Sequence, residues 1–404
     1  MSRQQHKRGI GPLALYIHIP FCETKCPYCD FNTYAGIEVL IPSYLAALCR
    51  EIELWGQLLG GPAVRTVFLG GGTPSYVPAD GIGRVLDTVR DAFDIDSTAE
   101  ITLEANPDDC TDAKVEAYPA LGVNRVSLGV QSLDDRLLEM LGRRHTAAQA
   151  VDAYRMVTEA GFDNVSIDLM YGLPDQTIED WRRTVEEISE MAPPHISLYC
   201  LTLEGCTPME RWVASGEMPA PDPDLAADMY LLAEETMARQ SYRHYEISNW
   251  ARPGYESRHN LVFWRNEPYL GVGPGAHSYL DGVRFWNLKS PREYVRIVRE
   301  IAAPSALDGR PVGELVGGMA AVERSETIDR RLEMAETLMM GLRLDTGVVS
   351  DEFTARFGES PSSIYGDVID ELTSVGLLDG ADGCLRLTDR GRILGNEVFA
   401  RFFL

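Results

Sequence analysis

The sequence predicts an α/β protein that contains a parallel sheet or barrel, followed by a smaller C-terminal domain. Two observations indicate the first part. Between about residues 13 and 245, short apolar runs alternate with longer amphipathic segments, and polar or glycine-rich residues follow the apolar runs. Strands that alternate with helices are typical of βαβ units, in which the strands are parallel. The third observation is that this alternation ends near residue 245, which indicates a change of architecture.

Six apolar runs are predicted to be the strands of this sheet: 15–19, 64–69, 101–104, 126–130, 165–169 and 195–201. Between them, apolar residues recur at intervals of three or four, which predicts covering helices that include 44–59, 134–141 and 147–160. Parallel strands of this kind place their carboxyl ends on one face, where we expect the functional residues. The segments at those ends are 70–74, 104–107, 131–132, and Asp168 with 171–172.

The chain past residue 245 is predicted to form an extension, a linker and a small domain. Residues 246–303 are rich in aromatic and turn-forming residues and end in a predicted helix near 292–301, and 304–324 is a proline- and glycine-rich linker. The pattern then predicts helices at 331–344, 350–357 and 362–372, a hairpin at 377–387 and a last helix at 389–403. This order is typical of a winged-helix-like domain over 325–404. Because that domain has eight basic and fifteen acidic residues (8 − 15 = −7), we favour a packing role over DNA binding.

Composition excludes several classes of protein. The chain has 37 Lys and Arg against 61 Asp and Glu, for a net charge of −24, and 45% of its residues are hydrophobic. This is a globular composition, and its charge would repel phosphate backbones and anionic lipid, so nucleic acid is not expected as a partner. Eight cysteines are too few for a disulfide framework. The apolar run 13–19 ends at Pro20 and no apolar run reaches eighteen residues, so we expect a cytoplasmic protein with reduced thiols.

Three of the eight cysteines lie close together, directly after the first predicted strand. Cys22, Cys26 and Cys29 form the pattern C-x-x-x-C-x-x-C. Three thiolates on one loop can ligate three irons of a 4Fe-4S cluster and leave the fourth iron without a protein ligand. A structural zinc site requires four ligands, and only His18 lies near enough in the sequence to supply the fourth. The alternatives are therefore zinc or a chance grouping of reduced cysteines, and we favour the cluster.

The cysteine motif, with Tyr28 before its last cysteine and a glycine-rich strand end at 70–74, resembles that of the radical S-adenosylmethionine superfamily. The resemblance implies a partial (β/α)6 TIM-like barrel over 1–245. It also implies a 4Fe-4S cluster held by the three cysteines, and S-adenosylmethionine bound to the open iron through its amino and carboxylate groups. In that superfamily, electron transfer from the cluster cleaves the sulfonium and yields a 5′-deoxyadenosyl radical.

Within the superfamily, the chain is similar over nearly its whole length to oxygen-independent coproporphyrinogen III oxidase and to its relatives, the haem chaperones called HemW. The similar segments are 17–22, 68–74, 104–107, 127–132, 168–174, 259–264 and 271–278. By this resemblance, Gly71, Gly72 and Thr73 contact the methionyl group. The residues implied to hold the carboxylate and ribose are Glu104, Gln131, Arg143 and Asp168. Taken alone, the glycines would indicate only a tight turn, and the charged residues only a solvated surface.

Two features favour the chaperones over the oxidase. The oxidase has a further cysteine two residues after the third cluster cysteine, where this chain has Phe31, and it has a long N-terminal arm, whereas only 21 residues precede Cys22 here. The chaperones share a His-Asn-x-x-Tyr-Trp motif whose histidine is linked to haem binding. His259 begins the matching segment, in which Phe263 replaces the tyrosine. The alternative is that this aromatic segment belongs to a packed core.

The resemblance therefore implies a haem chaperone that binds a 4Fe-4S cluster, S-adenosylmethionine and haem. The resemblance implies two kinds of partner. One is a haem-accepting protein, for which a membrane protein is one possibility, and the other is an electron donor such as a flavodoxin or ferredoxin. A cluster-dependent homodimer is also implied. The alternative function is radical oxidative decarboxylation of coproporphyrinogen III, so whether the chain is an enzyme stays open. A winged-helix regulator with a redox-sensing cluster is a third hypothesis, against which the negative C-terminal domain argues.

Overall fold

The computed structural model describes residues 11–301 and 311–403. Their arrangement confirms the predicted fold class: an α/β chain with a large, mostly parallel sheet and a small antiparallel sheet near the C-terminus. The chain divides into two compact units. The first contains the chain up to Asp168, together with Thr202–Ala220 and Pro268–Thr327, and the second contains Leu169–Leu201, Pro221–Glu267 and the chain from Ile328 onward.

The described residues form strands of two to twelve residues. In chain order they are β1 (Leu13–Ile19), β2 (Ala63–Gly71), β3 (Asp94–Ala105), β4 (Arg125–Gln131), β5 (Val165–Tyr171), β6 (His195–Cys200), β7 (Arg243–Glu246), β8 (Asn249–Ala251), β9 (Tyr269–Val272), β10 (His277–Leu280), β11 (Val283–Asn287), β12 (Val322–Thr327), β13 (Val348–Val349), β14 (Leu378–Asp379) and β15 (Cys384–Leu387). The first six alternate with helices, as the sequence pattern predicts.

The helices cover the strands and build the C-terminal region. They are α1 (Ile41–Leu59), α2 (Ala79–Ala92), α3 (Asp112–Ala120), α4 (Asp135–Met140), α5 (Ala147–Glu159), α6 (Ile178–Glu190), α7 (Pro208–Ser215), α8 (Pro223–Arg239), α9 (Arg258–Trp264), α10 (Pro291–Glu300), α11 (Val312–Gly318), α12 (Arg330–Gly341), α13 (Ser350–Phe357), α14 (Pro361–Ser374), α15 (Asp389–Ile393) and α16 (Gly395–Ala400). None of these helices of the described chain is both long and apolar enough to cross a bilayer.

In the first unit, β1 occupies the middle of the sheet. The strand order is β12-β11-β10-β9-β1-β2-β3-β4, and β1 pairs in parallel with both β2 and β9. The strands β2, β3 and β4 continue the parallel arrangement. Because β1 is flanked on both sides, its residues Leu13, Ile17 and Ile19 are fully buried. The loop that follows β1, which carries the three clustered cysteines, therefore starts from a buried strand that is paired on both sides.

The six predicted strands correspond to β1–β6, and their ends differ by at most two residues except at β3. That strand begins at Asp94, because its first residues pair with the start of β2 through Ala63 and Val64 although their side chains are largely exposed.

The linker predicted at 304–324 also differs from the observed structure. From 311 onward it contains α11 and the start of β12, since Val312, Leu315 and Val316 are buried, while residues 302–310 lie outside the described chain.

The C-terminal residues of the second unit form the expected helices and hairpin. Helices α12, α13 and α14 pack around an apolar core that includes Phe353, Leu372 and Phe402, and β15 pairs antiparallel with β13 and β14. The prediction of one last helix over 389–403 is wrong. Leu394 has non-helical backbone angles (φ −101°, ψ 24°) and separates α15 from α16, and Gly395 directly after it has low helix propensity.

Candidate functional site

The three clustered cysteines lie on one closed loop. The backbone N–H of Cys22 donates to the carbonyl oxygen of Tyr34 over 3.0 Å, and the N–H of Tyr34 donates to that of Pro20 over 2.8 Å. Within the loop, the N–H of Cys29 donates to the carbonyl oxygen of Cys26 over 3.1 Å. These bonds hold the loop against the end of β1, so that all three thiols project from one short, anchored segment.

Each of the three sulfurs has a polar side chain beside it. The contacts are Thr73 Oγ1 donating to Cys22 Sγ over 3.4 Å, Arg143 Nη1 donating to Cys26 Sγ over 3.7 Å, and Thr33 Oγ1 at 4.0 Å from Cys29 Sγ. Burial raises the pKa of the Cys22 and Cys29 thiols, which hydrogen bonds from the threonines partly offset. Donors aimed at sulfur and a nearby guanidinium stabilise thiolates, the form that ligates iron. The residues present therefore fit a cluster with three cysteine ligands.

The sequence left His18 open as a possible fourth zinc ligand, but both of its ring nitrogens form hydrogen bonds within the protein. Its Nδ1 accepts a hydrogen bond from the Tyr16 hydroxyl and its Nε2 donates to the carbonyl oxygen of Asn32, each over 3.0 Å. Burial lowers the pKa of His18 to about 4, so the ring is neutral. Both nitrogens are thus hydrogen-bonded, Nδ1 to a tyrosine of β1 and Nε2 to the cysteine loop. Among the residues that the structure describes, no three His, Cys, Asp or Glu side chains are grouped closely enough to hold a single metal ion.

The glycines after β2 allow that strand to lie directly on the cysteine loop. Gly71 has φ of +107°, and a Cβ there would come within 2.4 Å of the His18 ring. A Cβ on Gly72 would lie 2.7 Å from the carbonyl oxygens of both Ile19 and Phe21. The N–H of Gly72 donates to the Ile19 carbonyl oxygen over 2.8 Å. These glycines are therefore required by close backbone approach, and a tight turn alone does not explain them.

Two carboxylates lie on neighbouring parts of the same unit. An oxygen of Glu104 accepts a hydrogen bond from the N–H of Gly71 over 3.1 Å. Asp168 accepts from the hydroxyls of Ser127 and Ser166 over 2.8 and 2.9 Å. Burial, together with the charge of Asp168, raises the pKa of Glu104 to about 7. The site thus contains an acidic group that is only partly ionised at neutral pH.

We expect this raised pKa to make the stability of the protein depend on Glu104 between about pH 4.5 and pH 7. Because the pKa is higher in the folded chain than in the unfolded chain, Glu104 contributes its full stability below pH 4.5 and loses it as pH rises to about 7. Glu104→Gln has no such titration. The unfolding free energy of the variant should therefore rise relative to that of the unsubstituted protein by on the order of 3 kcal/mol from pH 4.5 to pH 8.

Urea unfolding at a series of pH values checks this prediction. Asp168→Asn is the control that isolates the cause, since removing that charge should shift the pH dependence to lower pH. A stability difference between Glu104→Gln and the unsubstituted protein that is constant across the range would contradict the assignment.

An amide side chain that the sequence did not single out connects the glycine turn with Arg143. Asn106 donates through Nδ2 to Thr73 Oγ1 over 3.3 Å and accepts through Oδ1 from Arg143 Nη2 over 2.6 Å. Arg143 Nη2 also donates to the carbonyl oxygen of Gly129 over 2.7 Å. Gln131, at the end of β4, has φ of +67°, and its amide nitrogen would lie 3.0 Å from a Cβ on Gly129. The structure therefore brings the predicted residues of β2, β4 and the α4–α5 connection to one place.

Asn106 belongs to the strand-end segment 104–107 that the sequence analysis identified, but only Glu104 of that segment was assigned a role. The serines that hold Asp168 give no local signal. Ser127 lies on β4 and Ser166 on β5, so that only the pairing of side chains on different strands brings Ser127 to the carboxylate.

His259 lies in the second unit, in the short helix α9. It is 1% exposed, and its ring stands edge-on to that of Phe263, with centroids 5.1 Å apart and planes at 85°. Ser257 caps the helix by accepting a hydrogen bond from the N–H of Asn260. Beyond it, Trp264 lies under the guanidinium of Arg343, whose Cζ is 5.3 Å from the ring centroid. The segment that the sequence linked to haem is thus a well-packed helix with a buried imidazole.

Comparison with known families matches two parts of the chain. Residues 16–188 match the family described as the Radical SAM superfamily, and residues 328–394 match the HemN C-terminal domain. The first match contains the cysteine loop, the glycine turn and both carboxylates described above. The second contains the helices and hairpin at the C-terminus.

Individual proteins are similar over almost the whole chain. The chain is 36% identical to Heme chaperone HemW of Lactococcus lactis, across 97% of this chain and 98% of that protein, and 34% identical to Heme chaperone HemW of Bacillus subtilis, across 96% and 98%. Among solved structures, coproporphyrinogen III oxidase (HemN) from Escherichia coli superposes with a TM-score of 0.83 at 24% identity, across 99% of this chain and 92% of that chain, which shows a shared fold. With its cysteine loop and full-length identity to these relatives, the chain belongs to the HemW family of the radical SAM superfamily.

Proposed function

We propose that this protein is a haem chaperone that binds a 4Fe-4S cluster, S-adenosylmethionine and haem, and delivers haem to acceptor haemoproteins. The observation that carries the proposal is the 36% identity to a protein named Heme chaperone HemW across 98% of its length. Phe31 supports it, since the oxidase has a cysteine at this place. Phe31 is 65% exposed here and offers no ligand to a metal or a substrate.

Cys22, Cys26 and Cys29 would hold the cluster, which supplies an open iron for S-adenosylmethionine and an electron for its reduction. The polar side chains at the sulfurs are the features of this chain that favour it. Arg143 has the largest role among them, because its guanidinium places a positive charge beside Cys26 while Asn106 and Gly129 fix its plane.

S-adenosylmethionine would lie along the strand ends of the first unit. Gly71, Gly72 and Thr73 would lie along the methionyl group, because they bring the end of β2 directly against the cysteine loop. We assign the carboxylate and ribose to the four polar residues that the family resemblance implies: Glu104, Gln131, Arg143 and Asp168. The two serines on Asp168 occupy one hydrogen bond on each of its oxygens, and a carboxylate has about four acceptor sites in all. Ribose hydroxyls could therefore donate to the same group.

We assign haem to helix α9, with His259 as an axial ligand and Phe263 and Trp264 as aromatic neighbours. A neutral imidazole is a common ligand of haem iron, and aromatic rings pack well against a flat macrocycle. Because His259 is 1% exposed, ligation requires a local opening that uncovers the imidazole ring. The loss of the family's tyrosine hydroxyl at Phe263 leaves the imidazole itself unchanged.

The remaining parts of the proposal follow from the family. They are cytoplasmic location, an electron donor such as a flavodoxin or ferredoxin, a haem acceptor that includes membrane proteins, and a cluster-dependent homodimer. Nucleic acid is not a proposed partner, because the net charge of −24 would repel it. The domain boundaries proposed from the sequence are 1–245, 246–303, 304–324 and 325–404.

Haem titration of the reconstituted protein under anaerobic conditions tests the function. We expect a Soret band that saturates at a fixed haem-to-protein ratio. In His259→Ala, the affinity for haem should be about tenfold lower. His277→Ala is the control for adventitious ligation, since His277 is the exposed counterpart in the first unit and should leave the band unchanged.

Two outcomes would overturn the proposal. One is a protein that shows no Soret change, or the same change in His259→Ala. The other is anaerobic conversion of coproporphyrinogen III to protoporphyrinogen, which would establish the oxidase function instead.

A further inference from the structure

A guanidinium that forms no ion pair within the described residues lies beside the helix that carries His259. Arg343, just past the end of α12, has its Cζ 5.3 Å from the centroid of the Trp264 ring and 4.9 Å from that of the Phe399 ring. Its Nε is buried and has no hydrogen-bond partner among the residues that the structure describes. The two rings therefore hold the guanidinium plane in place while its hydrogen-bonding capacity stays unused.

Glu246 interacts electrostatically with Arg343 but forms no ion pair with it in the described chain. The Glu246 carboxylate accepts its hydrogen bonds from the N–H of Ser248, over 3.1 Å, and from the side-chain amide of Asn249. Burial raises the pKa of Glu246 to about 7, so this carboxylate is only partly charged at neutral pH. The positive charge of Arg343 is thus incompletely neutralised.

Two arginines of the same unit pair directly with carboxylates. Arg356 lies 2.6 Å from a carboxylate oxygen of Glu333, and Arg392 lies 2.8 Å from one of Glu234. Arg343 differs from both, because the groups stacked on its guanidinium are aromatic rings. Arg343 is half-buried, and a guanidinium that is partly removed from water without a close carboxylate gains stability when a ligand supplies one.

The position of Arg343 relative to α9 is fixed by several further contacts. Arg356 donates through Nη2 to the carbonyl oxygen of Asn266, just past the end of α9, over 2.9 Å. The Asn266 amide donates to Thr337 Oγ1 over 3.0 Å. The carbonyl oxygen of Arg343 itself accepts from the N–H of Ile247 over 3.1 Å. Residues 337–356 therefore hold the end of α9 and present Arg343 to Trp264 at the same time.

We propose that Arg343 binds a carboxylate of a porphyrin ligand, such as a propionate group of haem, held next to helix α9. A planar guanidinium binds a carboxylate through two parallel hydrogen bonds, and the adjacent Trp264 and Phe399 rings would contact the apolar part of the same ligand. The inference rests on the proposed haem function, and it assigns to the C-terminal domain a direct part in haem binding.

Binding of haem and of haem dimethyl ester to the full-length protein tests the proposal, because the ester lacks the charged carboxylates. We expect the unsubstituted protein to prefer haem over the ester by about tenfold or more. In Arg343→Gln the two affinities should become equal, and Arg343→Lys should retain part of the preference because it keeps the charge and loses the planar fork. Arg392→Gln is the matched control, a paired arginine of the same domain, and should keep the full preference.

The ratio of two affinities within one variant is insensitive to a general loss of folded protein, and thermal unfolding of each variant verifies the fold. If Arg343→Gln does not fold, the reduced ratio expected of Arg343→Lys decides the question. A full preference for haem in the Arg343 variants, or no preference in the unsubstituted protein, would show the inference to be wrong while haem binding stands. No haem binding to the unsubstituted protein would overturn the proposed function itself.

Discussion

Replacement of all three clustered cysteines by alanine is expected to abolish iron binding. After anaerobic reconstitution with iron and sulfide, the unsubstituted protein should contain about four irons per chain, and the triple variant almost none. The spectral change on adding S-adenosylmethionine should disappear with the iron, because the open iron is the proposed point of attachment. The fold should survive, since Cys22, Cys26 and Cys29 lie on a loop and none belongs to the buried core.

The control for this experiment removes the same number of thiols elsewhere. Cys49, Cys200 and Cys384 are free thiols outside the loop, and their triple alanine variant should keep its iron. Iron counting and absorbance spectra provide the measurement. Unchanged iron content and unchanged affinity for S-adenosylmethionine in the loop variant would refute the cluster assignment, and with it the proposed role of the strand ends.

The substitution Gly72→Ala should have the second largest effect, although it adds only one methyl group. The new Cβ would lie 2.7 Å from the carbonyl oxygens of both Ile19 and Phe21. Neither oxygen can rotate away, because each belongs to backbone at the end of β1, so β2 and the cysteine loop would separate. Overpacking of this kind costs about 1–3 kcal/mol. Thr73, the next residue, would lose its hydrogen bond to the Cys22 sulfur.

We therefore expect Gly72→Ala to lower both the unfolding free energy and the iron retained after reconstitution, the latter to roughly half or less. Gly366→Ala is the matched control. It lies in α14 directly after the kink at Tyr365 (φ −116°, ψ 20°), no atom lies within 4 Å of the added Cβ, and alanine there should leave the iron content unchanged. Iron retention in Gly72→Ala equal to that in Gly366→Ala would contradict the argument from close approach.

The parts of the fold that could be predicted from the sequence are those with a long or strong pattern. The strands β1 and β4–β6 are buried runs bounded by turn signals, and α1 and α5 repeat their apolar residues over several turns. In contrast, β7–β11 and α9 are three to seven residues long, which is too short for periodicity to be distinguished from a turn-rich segment. The exposed start of β3 was missed because its pairing depends on a neighbouring strand, and its own residues show no burial pattern.

The site divides in the same way. The cysteines and the glycines after β2 could be found because each group lies within a few residues of sequence directly after a predicted strand. The link from Arg143 through Asn106 to Thr73 could not be found, because it joins the ends of β2 and β3 to the connection between α4 and α5. The burial of His259 also could not be predicted from the sequence. The aromatic residues around it are equally consistent with an exposed ligand-binding segment and with a packed helix.

By itself, the sequence determined the βαβ pattern, the three-cysteine loop and the place of the polar and glycine-rich strand ends, because each is encoded by residues that are near one another along the chain. Only the tertiary structure decided that both ring nitrogens of His18 are hydrogen-bonded, that a polar side chain lies beside each cysteine sulfur, and that the Arg343 guanidinium contacts the Trp264 and Phe399 rings. The physical reason is that these contacts depend on strand register and helix packing. Both are set by the burial of the whole core, and no local pattern of residues specifies them.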